Sequence, residues 1–90
     1  MFSDSEILRN GVVVSFDEFR RNILTLAENR NPNVRKGQFV YNHCALKYLD
    51  AVMSLHKLDG FFLNVDCYYN DRNIDAYLEK VYCYIRENPI

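Results

Sequence analysis

The sequence predicts a mainly α, compact three-helix domain with a short β-hairpin or other small β element near its N-terminus. Three observations carry that expectation. Apolar residues recur at helical spacing in three segments, placing helices at about 16–29, 35–57 and 71–87. Helix-start chemistry stands before the first and third segments. Only three Gly and two Pro occur in 90 residues, and most of them fall at the joints between these segments.

The first helix has the clearest start. Ser15-Phe16-Asp17-Glu18 has the form of a capping box, in which the Ser hydroxyl and the Glu carboxylate satisfy free backbone amides. Phe16, Phe19, Ile23 and Leu26 then share one face, and Asn29-Arg30-Asn31-Pro32-Asn33 ends the run with turn formers. The second helix is expected over 35–57 with Asn33 as its cap. Its main stripe is Phe39, Asn42 or His43, Leu46, Leu49 or Asp50, and Met53, and Val40, Cys44, Ala51, Val52 and Leu55 widen it. A helix apolar on so much of its circumference is expected to be central. Gly37 in its first turn permits close approach by another backbone, and Asp59-Gly60 is a turn signal at its end. The third helix follows Asn70 or Asp71, both good caps, and carries Ile74, Tyr77, Leu78, Val81 and Ile85 on one stripe.

The joints are open to more than one reading. Asn10-Gly11 has hairpin-turn chemistry between Ile7-Leu8-Arg9 and Val12-Val13-Val14, whereas Ser3-Asp4-Ser5-Glu6 has the form of a helix cap. Phe61-Phe62-Leu63-Asn64-Val65 reads as a strand or as an extended segment whose rings plug the core.

Composition excludes several function classes. The net charge is −1, from eleven Lys and Arg against twelve Asp and Glu, so this is neither a disordered acidic tail nor a wholly basic nucleic-acid binder. No apolar run approaches the roughly 20 residues needed to span a bilayer. The N-terminus has acids where a secretory signal has a basic and then an apolar region, and Cys44, Cys67 and Cys83 form no close pair. An unexported cytoplasmic protein with reduced thiols and no membrane partner is therefore expected. No Cys-x-x-Cys, His-x-x-x-His, calcium-loop or phosphate-loop pattern occurs. His43 and Cys44 are neighbours pointing about 100° apart on a helix, which makes no dyad. No enzyme, metal or cofactor is expected.

Two candidate binding surfaces remain. Arg20, Arg21, Arg30, Arg35 and Lys36 stand against the single acid Glu28 between positions 20 and 36, a candidate nucleic-acid surface. From Leu58 onward six acids outnumber Arg72, Lys80 and Arg86. There Tyr68, Tyr69, Asp71, Asp75, Glu79, Tyr82 and Tyr84 form a candidate protein-binding surface, because exposed Tyr beside acids makes an effective interface.

Two segments carry a resemblance. Arg35-Lys36-Gly37-Gln38-Phe39-Val40-Tyr41-Asn42, then Asp66-Cys67-Tyr68-Tyr69-Asn70-Asp71-Arg72-Asn73-Ile74-Asp75-Ala76-Tyr77-Leu78, preceded by Ser15-Phe16-Asp17-Glu18-Phe19, resemble a type of short phage and prophage protein. Cys67-Tyr68 stands where that type has an apolar or Pro-Phe pair, and Asn73 is inserted before Ile74. The resemblance implies a viral or mobile-element origin, supports the helix boundaries, and supplies no function to carry over. Physically, Gln38 and Asn42 share a helix face and are positioned to hydrogen-bond the Tyr68–Asp71 loop, with Arg35 pairing Asp66 or Asp71. The pattern thus reads either as a clasp between two helices or as a recognition surface. The function expected is that of a small non-enzymatic inhibitor of a host or defence-system protein, such as an anti-CRISPR or other anti-defence factor, with a homodimer as a further option. The alternative is a small nucleic-acid-binding regulator using residues 20–36.

Overall fold

The structure, a computed structural model, describes residues 7–10 and 12–88. The proposed Ser3–Glu6 cap lies outside the described residues. Strands β1 (Leu8–Arg9) and β2 (Val12–Val13) pair antiparallel, Leu8 opposite Val13 and Arg9 opposite Val12. Asn10 has a φ of 54°, a left-handed value that Asn tolerates better than most side chains and that tight hairpins demand. The hairpin reading of this segment holds.

Helix α1 (Phe16–Glu28) begins as its capping box requires, the Ser15 hydroxyl accepting the Glu18 amide at 3.2 Å. Its buried face is Phe19, Ile23 and Ala27. Phe16, expected in the core, is half-buried, and Leu26 is exposed. At its far end Arg30 donates to the carbonyls of Ala27 and Val34, both at 2.8 Å.

The second predicted helix is two. Helix α2 (Lys36–Lys47) stops at Tyr48, whose φ of −129° and ψ of 54° break the helical path, and α3 (Leu49–Leu55) resumes. No Gly or Pro marks the break. The Tyr48 ring turns into the core, 4% exposed, and meets the Phe19 ring at 5.9 Å. Which face is buried also differs from expectation. Gly37, Val40, Cys44, Ala51, Val52 and Leu55 point inward, whereas Leu46, Leu49 and Met53 from the main stripe are exposed and Phe39 is half-buried against the His43 ring. The N-cap is Arg35 rather than Asn33, and no side chain of its own caps α2.

Gly60 (φ 77°) turns the chain in a conformation that L side chains rarely adopt. Phe61–Val65 is a single wide helical turn, neither strand nor extended plug, closed by the Asp66 amide donating to the Phe61 carbonyl at 2.7 Å. A 3₁₀ turn, Asp71–Asn73, capped by the Asn70 side chain, leads into α4 (Ile74–Glu87). Helix α4 packs on α1, α2 and α3, burying Ile74, Tyr77, Leu78, Val81, Tyr82 and Ile85. One continuous core results, and the radius of gyration of 12.4 Å is close to the ~12 Å of a compact chain of this length.

Tyr82 corrects a second expectation. It stands about 40° from Leu78 around α4, off the apolar stripe and so expected at the surface, yet it is 8% exposed. The hairpin covers it: its hydroxyl donates to the Val14 carbonyl at 2.6 Å, and its ring meets Phe16 and Phe19 at 5.6 Å each. Tyr82→Phe keeps the ring packing but strands that carbonyl in a buried position. The expected cost is about 1–2 kcal/mol, seen as a fall in Tm of roughly 5–12 °C in thermal denaturation followed by circular dichroism.

Candidate binding surface at the α2–loop clasp

A helix begins with backbone N–H groups that have no partner within the helix. In α2 the side chain that answers this need comes from 34 residues away: Asp71 Oδ1 accepts the Gly37 amide at 2.9 Å. The same glycine's carbonyl accepts the Cys67 thiol at 3.3 Å, so the loop between the wide turn and α4 is bound to both backbone polar groups of one residue. Gln38 Nε2 donates to the Tyr68 hydroxyl at 3.2 Å, and the Arg35 guanidinium donates to the Tyr68 carbonyl. The loop is also braced from within, by the Tyr68 amide on Asp66 at 2.8 Å and Asn73 Nδ2 on the Asp66 carbonyl at 2.9 Å.

Clasp and sequence pattern therefore coincide, with two differences. Arg35 reaches a backbone carbonyl and a ring rather than the carboxylate of Asp66 or Asp71. Asn42 is exposed and, among the described residues, makes no bond to the loop.

Behind the clasp is an aromatic array. Tyr41 stacks on Tyr77 at 5.4 Å, meets Tyr68 edge-on at 5.5 Å, and shares a hydrogen bond with His56 Nε2. His56 in turn lies 4.5 Å from the Phe61 ring. Burial, then the nearby Asp66 carboxylate, raises the Tyr41 pKa, and burial raises that of Tyr77. Burial pushes the Cys67 thiol up from 9.0 to about 12, with Asp66 adding to the effect. Each of these groups is held neutral and structural rather than poised as a nucleophile.

In front of the clasp stands Tyr69. It is 79% exposed, with the Arg35 guanidinium over its ring at 5.3 Å and Tyr68 against its edge at 4.7 Å. One corner thus joins residues from both predicted surfaces, Arg35 from the basic set and Tyr68, Tyr69 and Asp71 from the Tyr-rich set. The other predicted residues are dispersed. Asp75 is exposed and pairs with Arg20 at 2.7 Å. Glu79 is exposed on the same side of α4 as Asp75. Tyr84 is half-buried and, five residues beyond Glu79, projects roughly 140° away from it. Tyr82 is in the core.

The basic set is largely consumed by the fold. Arg20 pairs with Asp75, Lys36 approaches Glu28 at 3.7 Å, Arg30 holds carbonyls, and Arg35 holds the loop. Arg21 is the exception, with no side-chain partner among the described residues. Arg20, Leu24 and Lys36 join two concavities, of about 500 and 340 Å³, into one open cleft. Its walls carry Arg20, Arg21, Lys36 and Arg72 but also Asp17, Glu28, Asp71 and Asp75, so opposite charges alternate and no anion-attracting field builds up. Among the described residues no group of three or more His, Cys, Asp or Glu is arranged to hold a metal. No described helix is long and apolar enough to cross a membrane. Comparison of the chain with protein-family models, with curated proteins and with solved structures finds no match.

Two measurements check the clasp. At an exposed site in a first helical turn, Gly→Ala gains up to about 1 kcal/mol in helix propensity. At Gly37 the added Cβ would lie 2.1 Å from the Cys67 carbonyl oxygen and 2.7 Å from Asp71 Oδ1. Gly37→Ala is therefore expected to cost about 3 kcal/mol and lower Tm by about 15 °C. The second measurement is alkaline titration. A thiol whose pKa is higher folded than unfolded keeps a proton that the unfolded chain releases, so its contribution is complete below pH 9 and is lost as pH rises towards about 12. Native thiol labelling at pH 8 should modify exposed Cys83 and spare buried Cys44 and Cys67, and a Cys67→Ala variant should show a shallower alkaline loss of stability.

Proposed function

We propose that this protein is a non-enzymatic binding protein that docks on another protein through the corner formed by Tyr69 and Arg35. The observation that carries the reading is a tyrosine left 79% exposed on a loop whose backbone is fixed on both sides. Tyr and Arg dominate interface hot spots, and a side chain already ordered by its neighbours loses little conformational entropy on binding. The clasp supplies that order: Arg35 and Tyr68 fix the Tyr69 ring, and Gly37, Asp66 and Asp71 fix the loop beneath it. Exposed Asp71, two residues on in the same loop, adds a carboxylate to the Arg35 cation.

The class of partner follows from the resemblance to short phage and prophage proteins. A protein of that origin, built to bind rather than react, fits an inhibitor of a host or defence-system protein in the host cytoplasm, of which an anti-CRISPR or other anti-defence factor is the concrete case. The reading as a nucleic-acid-binding regulator has less support, because four of the five basic residues it needs are engaged within the fold and the cleft lined by Arg20, Arg21 and Lys36 is balanced by acids.

Affinity capture from host lysate tests this with wild-type and Tyr69→Ala chains as paired baits. A specific protein retained by the wild type and reduced at least ~10-fold by Tyr69→Ala, at unchanged Tm, is the expected result, as the truncation removes a hot-spot residue worth about 1.4 kcal/mol or more. Capture indifferent to Tyr69, or no specific capture, overturns the docking site. Strong salt-dependent retention of mixed DNA and RNA would favour the nucleic-acid reading instead.

A further inference from the structure

We propose that the outer face of α3 is a contact surface between two copies of this chain, separate from the Tyr69 corner. Helix α3 buries Ala51, Val52 and Leu55 and turns Leu49 and Met53 outward, each 55% exposed. Leu46, at the end of α2 just before the Tyr48 break, is 86% exposed. Three large apolar side chains within eight residues of one corner make a patch of the kind that monomeric surfaces seldom leave uncovered. The core is complete without them.

The occupant is identified by charge. Asp50 in the first turn of α3 and Lys57 two residues past its end flank Met53 in the chain, both exposed, and among the described residues neither has an ion-pair partner. The two stand seven positions apart across the end of α3 and make no ion pair with each other. In a two-fold contact residue i meets j and j meets i. Antiparallel packing of α3 on a second copy, with the axis beside Met53, sets Asp50 of each copy opposite Lys57 of the other. Met53 then meets Met53 between these two pairs, with Leu49 and Leu46 at the flanks. The face is complementary to itself in both apolarity and charge, and a net charge of −1 offers no long-range repulsion between copies. One short helix and the adjoining end of α2 make a contact at the small end of the range for specific interfaces, below about 1,200 Å² in total. The dimer is accordingly concentration-dependent, with a Kd of the order of micromolar to tens of micromolar.

Sedimentation equilibrium of the 90-residue chain from ~1 μM to ~1 mM tests the proposal. The wild type is expected to pass from monomer to dimer across that range, and Met53→Glu to raise Kd at least ~10-fold with unchanged Tm. Asp50→Lys or Lys57→Asp alone sets like charges opposite each other and is expected to weaken the dimer about 10-fold, while the two together restore it to within about threefold of wild type. Tyr69→Ala is expected to leave Kd unchanged, so failure here and failure of the docking site are told apart. A chain monomeric to 1 mM overturns the proposal. So does a dimer indifferent to Met53→Glu, a double charge reversal no better than either single one, or a dimer lost in Tyr69→Ala.

Discussion

The bond from the Gly37 amide to the Asp71 carboxylate is the constraint on which the rest of the arrangement turns. It is local chemistry supplied from a distance: a helix end without a capping side chain takes its acceptor from residues that themselves open another helix. Joining the two starts in this way fixes the azimuth of α2, because the residue presented to the loop must have no Cβ, with the Cys67 carbonyl oxygen 2.1 Å from where one would be. Once Gly37 faces the loop, Val40 and Cys44 follow it inward at helical spacing and Leu46 is carried to the outside.

This explains which parts of the fold were legible in the sequence. Helices α1 and α4 announce themselves, since the Ser15 capping box and the Asn70–Asp71 start are contained within a few residues and each helix has one apolar stripe. The hairpin is similarly local, through Asn10. Helix α2 is different. Its apolar residues surround it, so periodicity offers two candidate faces and cannot rank them. The deciding term is a backbone contact with a loop 30 residues later, for which the sequence holds only an oblique sign: an Arg-x-Gly start with no side chain able to cap it. The break at Tyr48 has no Gly or Pro to mark it either. It lets Tyr48 enter the core beside Phe19 while Ala51, Val52 and Leu55 stay in contact with α4.

The candidate surfaces were legible as residue types and not as positions. Counting charge along the chain shows a basic segment, but folding sets Arg20 against Asp75, 55 residues away, and turns Arg30 and Arg35 onto carbonyls. A linear excess of charge survives as a field only when the fold keeps opposite charges apart, and here it interleaves them. The tyrosines divide on the same principle. Tyr82 stands off the stripe of α4 yet is buried, because a helix residue beside the stripe is exposed only if nothing covers its flank, and the hairpin covers this one. Tyr69 belongs to no helix, has no periodicity to judge it by, and is left 79% exposed to solvent.

Because the clasp closes without Tyr69 and the core closes without Leu46, Leu49 and Met53, stability and recognition are carried largely by different side chains in this molecule, Arg35, which serves both clasp and corner, being the exception. That separation has a physical basis in size. A domain of 90 residues buries only about two-thirds of the surface of its unfolded chain, so it has little stability to spare for groups that serve both ends. Cys67 and Tyr77 are buried and, with half-buried Tyr41, have raised pKa values that keep them neutral beneath the clasp. Tyr69, Leu46, Leu49 and Met53 are side chains whose removal leaves every core contact and every clasp bond intact. They lie in two places, the Tyr69 corner and the outer face of α3, and α2 runs from one to the other, its first turn held by Asp71 and its last leading into Tyr48 and α3. The bond that caps α2 therefore orients both surfaces.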